Sequence, residues 1–270
     1  MSGFGPTTHT LVTGGSSGLG LEIARQIVTR GGVVTLLARD QSRLDDAAGV
    51  LRRETPDARV GTLSVDIRDA DAVERAITDL GRTYSHLDTV INSAGILIEG
   101  RFERIRPEDF RTVMDINLHG TVNVCRAAVP LLHTSGGTVV NVASVAGLTG
   151  VFGYTAYCSS KHALVGFTRA LSFELEPQHI RTVLVCPGEF DSPMVDALDA
   201  TRTPENRAHT LTIPKLSVHQ IAAETLAGVQ AGRRTIVPGR RTRAIVLANR
   251  YAPRIADAVA RRRIAGARGT

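Results

Sequence analysis

Apolar runs and segments of helical period alternate along this chain. THTLVTGG (residues 8–15) is a short apolar run that ends in glycines. LGLEIARQIVTRGG (19–32) repeats its apolar residues at helical spacing and closes on a glycine pair, a usual helix stop. VVTLLA (33–38) is a second apolar run. The pattern then predicts a helix over about 41–54, a strand over about 58–65, a helix over about 70–82 and the strand LDTVINSAG (87–95). One long helical region covers about 107–132. The strand GGTVVNVAS (136–144), a helix over about 155–176 and the strand RTVLVCPG (181–188) follow, and IVPG (236–239) reads as a last strand and turn. Strands that are apolar throughout, separated by helices of this length, predict a doubly wound parallel sheet with helices on both faces.

Two segments break the alternation. Residues 191–216 are rich in Pro, Thr, Asp and Arg without a clear period, and read as a long mobile loop with at most a short helix. Loops of this length in compact domains are usually functional, here as a substrate lid. Residues 241–270 mix Ile, Val, Leu and Ala with Arg at near-helical spacing, interrupted by Pro253. The division expected is one catalytic domain over 1–240 and a basic amphipathic tail over 241–270.

Composition sharpens this picture. The chain has 270 residues, no Trp and 4% aromatic content, so aliphatic side chains must build its core. The net charge of +6 is uneven: residues 233–270 carry eleven Arg and one Asp, which leaves the body slightly acidic. A basic tail with Tyr251 as its one aromatic residue does not suit nucleic acid. It suits an anionic membrane surface, a subunit contact or a solvated helix face. Cys125, Cys158 and Cys186 are widely spaced and odd in number, which fits a reducing cytoplasm better than a disulfide framework or a zinc site. No signal peptide is expected in MSGFGPTTHTLV, and no run reaches the length of a membrane span.

The chemistry concentrates in two places. The first strand leads into TGGSSGLG (13–20) and then a helix, with Gly14, Gly18 and Gly20 in a TGxxxGxG pattern. Glycines there let a backbone turn sharply against a pyrophosphate at a helix N-terminus, with Ser16, Ser17 and Leu19 in the same turn. Where the second strand ends, an acidic residue would bond the ribose of NAD. This chain has Ala38, then Arg39, with Arg43 four places on, and two guanidiniums suit a 2′-phosphate. The cofactor expected is therefore NADP(H). Asp40 is the dissenting residue, turned to solvent or paired with Arg43.

The second place is YTAYCSSK (154–161). On a helix, Tyr157 and Lys161 share one face. An ammonium beside a phenol favours the phenolate, which makes Tyr157 a general acid for a developing alkoxide. Ser144, at the end of the preceding strand, is placed to bond the same carbonyl oxygen. Tyr154 and Met194 are expected in the substrate pocket.

Taken together, TGGSSGLG, NSAG (92–95), Asn117 in MDINLHG, Ser144, YCSSK and PGEFDS (187–192) resemble, in order and spacing, the short-chain dehydrogenase/reductase family over residues 8–195. The resemblance implies a Rossmann-type three-layer fold with about seven strands. It implies Tyr157 as proton donor, Lys161 as its tuner and ribose ligand, Ser144 as carbonyl binder and Asn117 as anchor of a relay water. It also implies Asp66 and Ile67 near the adenine, Asn92, Ala94 and Gly95 beside the adenosine, and Pro187, Gly188, Phe190 and Ser192 around the nicotinamide. Ser93 and Ser192 depart from the commoner Asn and Thr. Within the family, GGSSGLG, VTLLARDQSRL, SVDIRD and AGLTGVFGYTAYCSSKHALVGF resemble 3-ketodihydrosphingosine reductases, although PGEFDSP lacks the doubled proline of that branch. The function implied is NADPH-dependent reduction of a lipophilic ketone by a homodimer or homotetramer. Steroid-like or 3-hydroxyacyl substrates are the alternative within enzymes, and a non-catalytic NADP-binding sensor or scaffold is the alternative outside them.

Overall fold

The computed structural model describes residues 3–134, 136–200, 202–210 and 215–267. Its strands are β1 (His9–Thr13), β2 (Val33–Ala38), β3 (Arg59–Ser64), β4 (Thr89–Asn92), β5 (Thr138–Val142), β6 (Arg181–Val185) and β7 (Thr235–Ile236). All pair in parallel, in the order β3-β2-β1-β4-β5-β6-β7. The strand order reverses between β1 and β4, so a crevice opens at their C-terminal ends, the usual ligand position in an open α/β sheet.

Alternation along the strands sends side chains to two cores. On one face Val12, Val34 and Leu36 meet Ile23 and Ile27 of α1 (Gly18–Val28), Leu44 and Leu51 of α2 (Gln41–Glu54), and Ile221 and Leu226 of α9 (Val218–Gln230). On the other, Leu11, Leu37 and Val90 meet Ile77 of α3 (Ala70–Tyr84), Val124 and Leu132 of α5 (Gly120–His133), and Leu175 of α6 (Thr155–Leu175). Three-layer packing of this kind is the Rossmann-type arrangement that the apolar runs predict.

The structure differs from the sequence pattern in three places. The region read as one helix over 107–132 is divided: α4 (Pro107–Met114) passes through a π-helical turn (Asp115–His119) before α5 begins. The segment 191–216, read as a loop, contains α7 (Pro193–Asp199) and α8 (Pro204–Thr210), while residues 201 and 211–214 of it lie outside the described residues. Ser192 caps α7 by accepting from the Val195 N–H (3.3 Å), and Thr203 does the same for Asn206 (3.3 Å). Helix α9 was not anticipated; Ser217 caps it by accepting from Gln220 N (3.1 Å).

The basic tail folds as two helices, α10 (Arg240–Tyr251) and α11 (Pro253–Gly266), and α11 packs against α8. Pro253 ends one helix and opens the next at its first turn, where a missing N–H costs nothing. Residues 268–270 of the tail lie outside the described residues.

A single guanidinium ties α7 and α8 to the end of β6. Arg202, 3% exposed at its side chain, pairs with Glu189 (2.5 Å) and Asp199 (3.0 Å). It also donates to Asn206 Oδ1 (2.6 Å) and Thr210 Oγ1 (2.7 Å). Removing one partner of a buried pair leaves an uncompensated charge. Arg202→Ala is therefore expected to speed backbone hydrogen exchange across 193–210 by at least tenfold while the central strands keep wild-type protection. Unchanged exchange in that segment would show that the guanidinium does not hold it.

Candidate active site

One cavity of about 550 Å³ lies at the C-terminal ends of the strands and gathers most of the residues singled out above. Its inner end is lined by Gly14, Ser17, Gly18, Leu19 and Gly20. The backbone there is tightly folded: a Cβ on Gly20 would stand 2.5 Å from the carbonyl oxygen of Gly14, and Gly14 itself has φ +67°. Ser17 is the N-cap of α1, yet its hydroxyl makes no capping bond. The helix start therefore presents a cradle of small residues and a favourable dipole, which fits the pyrophosphate of a dinucleotide. Ala94 and Gly95 form the adjacent wall.

Several predicted cofactor residues lie outside this lining. Arg39 and Arg43 are exposed, at the end of β2 and in the first turn of α2. Asp40 caps α2, accepting from Arg43 N (3.2 Å) and from the Ser42 hydroxyl (2.8 Å), which accounts for a carboxylate beside the two arginines. Asp66 is engaged by Arg68 (2.6 Å), which holds its carboxyl below the usual range. Ile67 is buried against Gly120. Asn92 was expected beside the adenosine, but its side chain points into the sheet, where it donates to Asn141 Oδ1 (2.9 Å) and Cys125 Sγ (3.3 Å). It is the last residue of β4, paired with Thr13 and Asn141, and the cavity wall begins one residue later at Ser93. Ser16 is also absent from the lining.

The middle of the cavity brings Ser144, Tyr157 and Lys161 together. Ser144 follows β5 and starts a short 3₁₀ turn, its Oγ accepting from Ala146 N (3.1 Å). Tyr157 and Lys161 are one turn apart on α6, with Nζ 5.7 Å from the ring centroid. The ammonium, 4% exposed as a residue, donates to Val142 O (3.0 Å). The protonation states differ from the sequence expectation. Burial pushes the Tyr157 phenol up to about 12, with a hydrogen bond from Ser144 pulling it partly back. Burial pulls the Lys161 ammonium down to about 8. Withdrawal from water thus dominates at both groups.

Asn117 does not line the cavity; it is fully buried in the π-helical turn. Its side-chain amide grips the main chain of Ile96, accepting from N (2.8 Å) and donating to O (2.9 Å), and donates to Ser160 Oγ (3.0 Å). Ser160 in turn donates to Tyr157 O (2.8 Å). Asn117 therefore links the wall after β4 to the helix that carries the tyrosine.

The outer part is lined by Pro187, Gly188, Phe190, Ser192, Tyr154 and Met194, all of them anticipated. The Tyr154 ring stands edge-on to Tyr157 (5.7 Å between centroids) and its hydroxyl faces Arg202 (3.4 Å). Sequence reasoning named no residue of the far wall. His209 of α8 and Ile245, Ala248, Asn249, Ala252, Ile255, Ala256, Val259, Ala260 and Arg263 of the C-terminal helices also line this cavity. Asn249 accepts from Thr149 Oγ1 (3.2 Å), which ties α10 to the segment after Ser144. The available signal was the recurrence of Ala every fourth residue at 248, 252, 256 and 260, which runs across the break between the two helices.

This arrangement agrees with known proteins. The family model "short chain dehydrogenase" matches residues 8–203. A 3-dehydrosphinganine reductase of Arabidopsis thaliana is 33% identical over 232 residues, covering 84% of this chain and 69% of its own length. A 3-ketodihydrosphingosine reductase of Bos taurus is also 33% identical, over 84% of this chain and 70% of its own. Among solved structures, a short chain dehydrogenase from Burkholderia cenocepacia in complex with NADP is 25% identical, with a TM-score of 0.80, over 95% of this chain and 98% of its own. A glycine cradle opening onto the serine, tyrosine and lysine, on a parallel seven-stranded sheet, is thus matched by motif, by relatives and by fold: the chain belongs to the short-chain dehydrogenase family.

Proposed function

We propose that this protein is an NADPH-dependent reductase of a lipophilic ketone. The observation that carries the reading is that Ser144, Tyr157 and Lys161 line one cavity with the glycine cradle. NADPH, when bound, supplies the hydride. Ser144 and Tyr157 hydroxyls converge on the carbonyl oxygen, and Tyr157 gives it the proton. A phenol whose pKa is about 12 keeps that proton at every working pH, which suits donation in the direction of reduction. Lys161 offsets the charge left on the phenolate, and Asn117 anchors the path by which the proton is replaced. Arg39 and Arg43 hold the 2′-phosphate from the rim. Pro187, Gly188, Phe190 and Ser192 bed the nicotinamide side, and Asp66, Ile67 and the Asn92–Gly95 stretch bound the adenosine side. A sensor without catalysis would have no use for the serine and tyrosine aimed into the same cavity. An apolar ketone, such as a 3-keto sphingoid base, is favoured over a polar one by the aliphatic outer wall.

The outer surface of α10 and α11 adds a partner to this reading. Leu247 (52% exposed), Tyr251 (75%), Ile255 (69%) and Val259 (48%) recur every fourth residue, flanked by Arg243, Arg250, Arg254 and Arg262. Such a stripe suits the surface of an anionic membrane from the cytoplasmic side, where the free cysteines also fit. No helix among the described residues is long and apolar enough to cross a membrane.

Three outcomes test this. Tyr157→Phe should lower kcat for ketone reduction by about 10²–10⁴ while NADPH binding, followed by its fluorescence, stays intact; in wild type the rate should fall as pH rises through about 8, where Lys161 loses its charge. A wild type that reduces none of a broad carbonyl panel defeats the enzyme reading. Arg39→Ala with Arg43→Ala should raise the Kd for NADPH about ten- to hundredfold and leave that for NADH nearly unchanged. Equal effects on both cofactors would remove the two arginines from the 2′-phosphate. Wild type should sediment with phosphatidylserine vesicles at low salt, and Tyr251→Asp with Ile255→Asp should not. A dimer that buries the stripe and ignores vesicles would mark it as a subunit contact.

A further inference from the structure

The same two helices form a wall of the cavity that runs outward from Tyr157. Their inward face is Ile245, Ala248, Ala252, Ala256 and Ala260, with Ile255 and Val259 at the edge, and every one of these lines the cavity. Helices α7 and α8 line the same cavity, through Met194, Val195 and His209. The far end is open: Ile255 and Val259 belong to the lining and are also exposed to 69% and 48%. An apolar passage therefore leads from the reacting tyrosine to the surface, with small side chains down one side. A compact ring system would call for a closed bowl, whereas a passage with an open end accepts a ligand longer than itself.

We propose that α10 and α11 are the bed of an unbranched alkyl chain, and that they set which chain lengths this reductase prefers. The inference rests on the ketone-reductase reading and names the part of the substrate that this reading leaves open. The carbonyl sits at Ser144 and Tyr157, and the chain lies along the alanine face and emerges between Ile255 and Val259. Each methylene moved from water to such a wall contributes about 0.8 kcal/mol, close to a fourfold gain in kcat/KM. That gain should accumulate with chain length and level off once the chain reaches the open end. Filling the bed with a bulky side chain should remove the gain and leave the chemistry at the tyrosine alone.

The experiment is a series of straight-chain 2-ketones from 2-hexanone to 2-dodecanone, with NADPH, on wild type, Ala256→Phe and Ala258→Phe. Ala258 is exposed on α11 and does not line the cavity, so it controls for damage to the helix. Wild type and Ala258→Phe should show kcat/KM rising severalfold per methylene. Ala256→Phe should match them on 2-hexanone and fall at least tenfold behind on 2-dodecanone. A flat series in wild type, or an equal loss on short and long ketones in Ala256→Phe, overturns the proposal. Displacement of 8-anilinonaphthalene-1-sulfonate by the same ketones keeps the two readings apart. If no ketone is reduced, the reductase reading falls, while tighter displacement by 2-dodecanone that Ala256→Phe abolishes still supports the chain bed. No dependence of displacement on chain length overturns it.

Discussion

The position of one buried ammonium constrains the rest of the site. Helix α6 lies with its backbone almost touching the turn after β5: a Cβ on Gly147 would stand 2.7 Å from Lys161 O. Only that close approach lets Lys161 reach Val142 O at 3.0 Å and still stand beside the Tyr157 ring. The end of β4 is fitted to the same atom, since a Cβ on Gly95 would lie 3.5 Å from Nζ and 3.0 Å from Asn117 Oδ1. Strand ends, π-helical turn and helix are thus packed around a lysine that could be replaced only by moving all three. Its burial is costly. A depression from 10.5 to about 8 corresponds to about 3 kcal/mol against the charged form. A cost of that size, carried at a site that donates to a strand-end carbonyl and faces a tyrosine, is the usual sign of function outweighing stability.

The protonation states bear on the proposed reduction. In that reading the phenol holds its proton until an alkoxide develops, and burial raises the Tyr157 pKa in that sense. Ser144 is the neighbour whose hydrogen bond pulls the phenol downward, so in the proposed reaction it acts on both the carbonyl and the acid. Lys161 stands beside the ring, with Nζ 5.7 Å from its centroid, and donates to Val142 O rather than to the phenol.

The sequence was most legible where local rules and tertiary demands coincide. Helix α2 is delimited as expected because Asp40 caps it, and β2 matches VVTLLA because both its faces are covered. The glycine turn, Ser144, Tyr157 and Lys161 were legible as chemistry because each residue type is costly elsewhere. The direction of the Asn92 side chain was not legible because a sequence motif does not say which way a strand-end side chain points, and here the pleat turns it onto Asn141. The π-helical turn was invisible because apolar spacing through 107–132 is nearly unbroken, and only Asn117's grip on Ile96 gives the wider turn its purpose. Helices α7 and α8 were hidden by polar composition, since a buried arginine joins the short apolar pair Val195 and Leu198 in holding them. The far wall was missed for the opposite reason: a run of arginines drew attention to charge and away from the alanines between them.

Those last two cases describe two walls of one cavity, and the forces that hold them differ in kind. On the side of α7 and α8, Arg202 joins Glu189, Asp199, Asn206 and Thr210, so a change in any one of them is felt by the others. On the side of α10 and α11, Thr242 is the one fully buried residue, and α11 has none. Coupling is strong in the first case and weak in the second, because hydrogen-bonded networks share partners whereas half-exposed apolar contacts add nearly independently. Substitutions on the alanine face therefore alter the shape of the cavity at little cost to the sheet or to the lysine beneath it. The cofactor end is built from glycines whose missing side chains are occupied by backbone, and it has no such freedom. On the proposed reading, the fold keeps its chemistry in the part that cannot vary and its choice of ligand in the part that can.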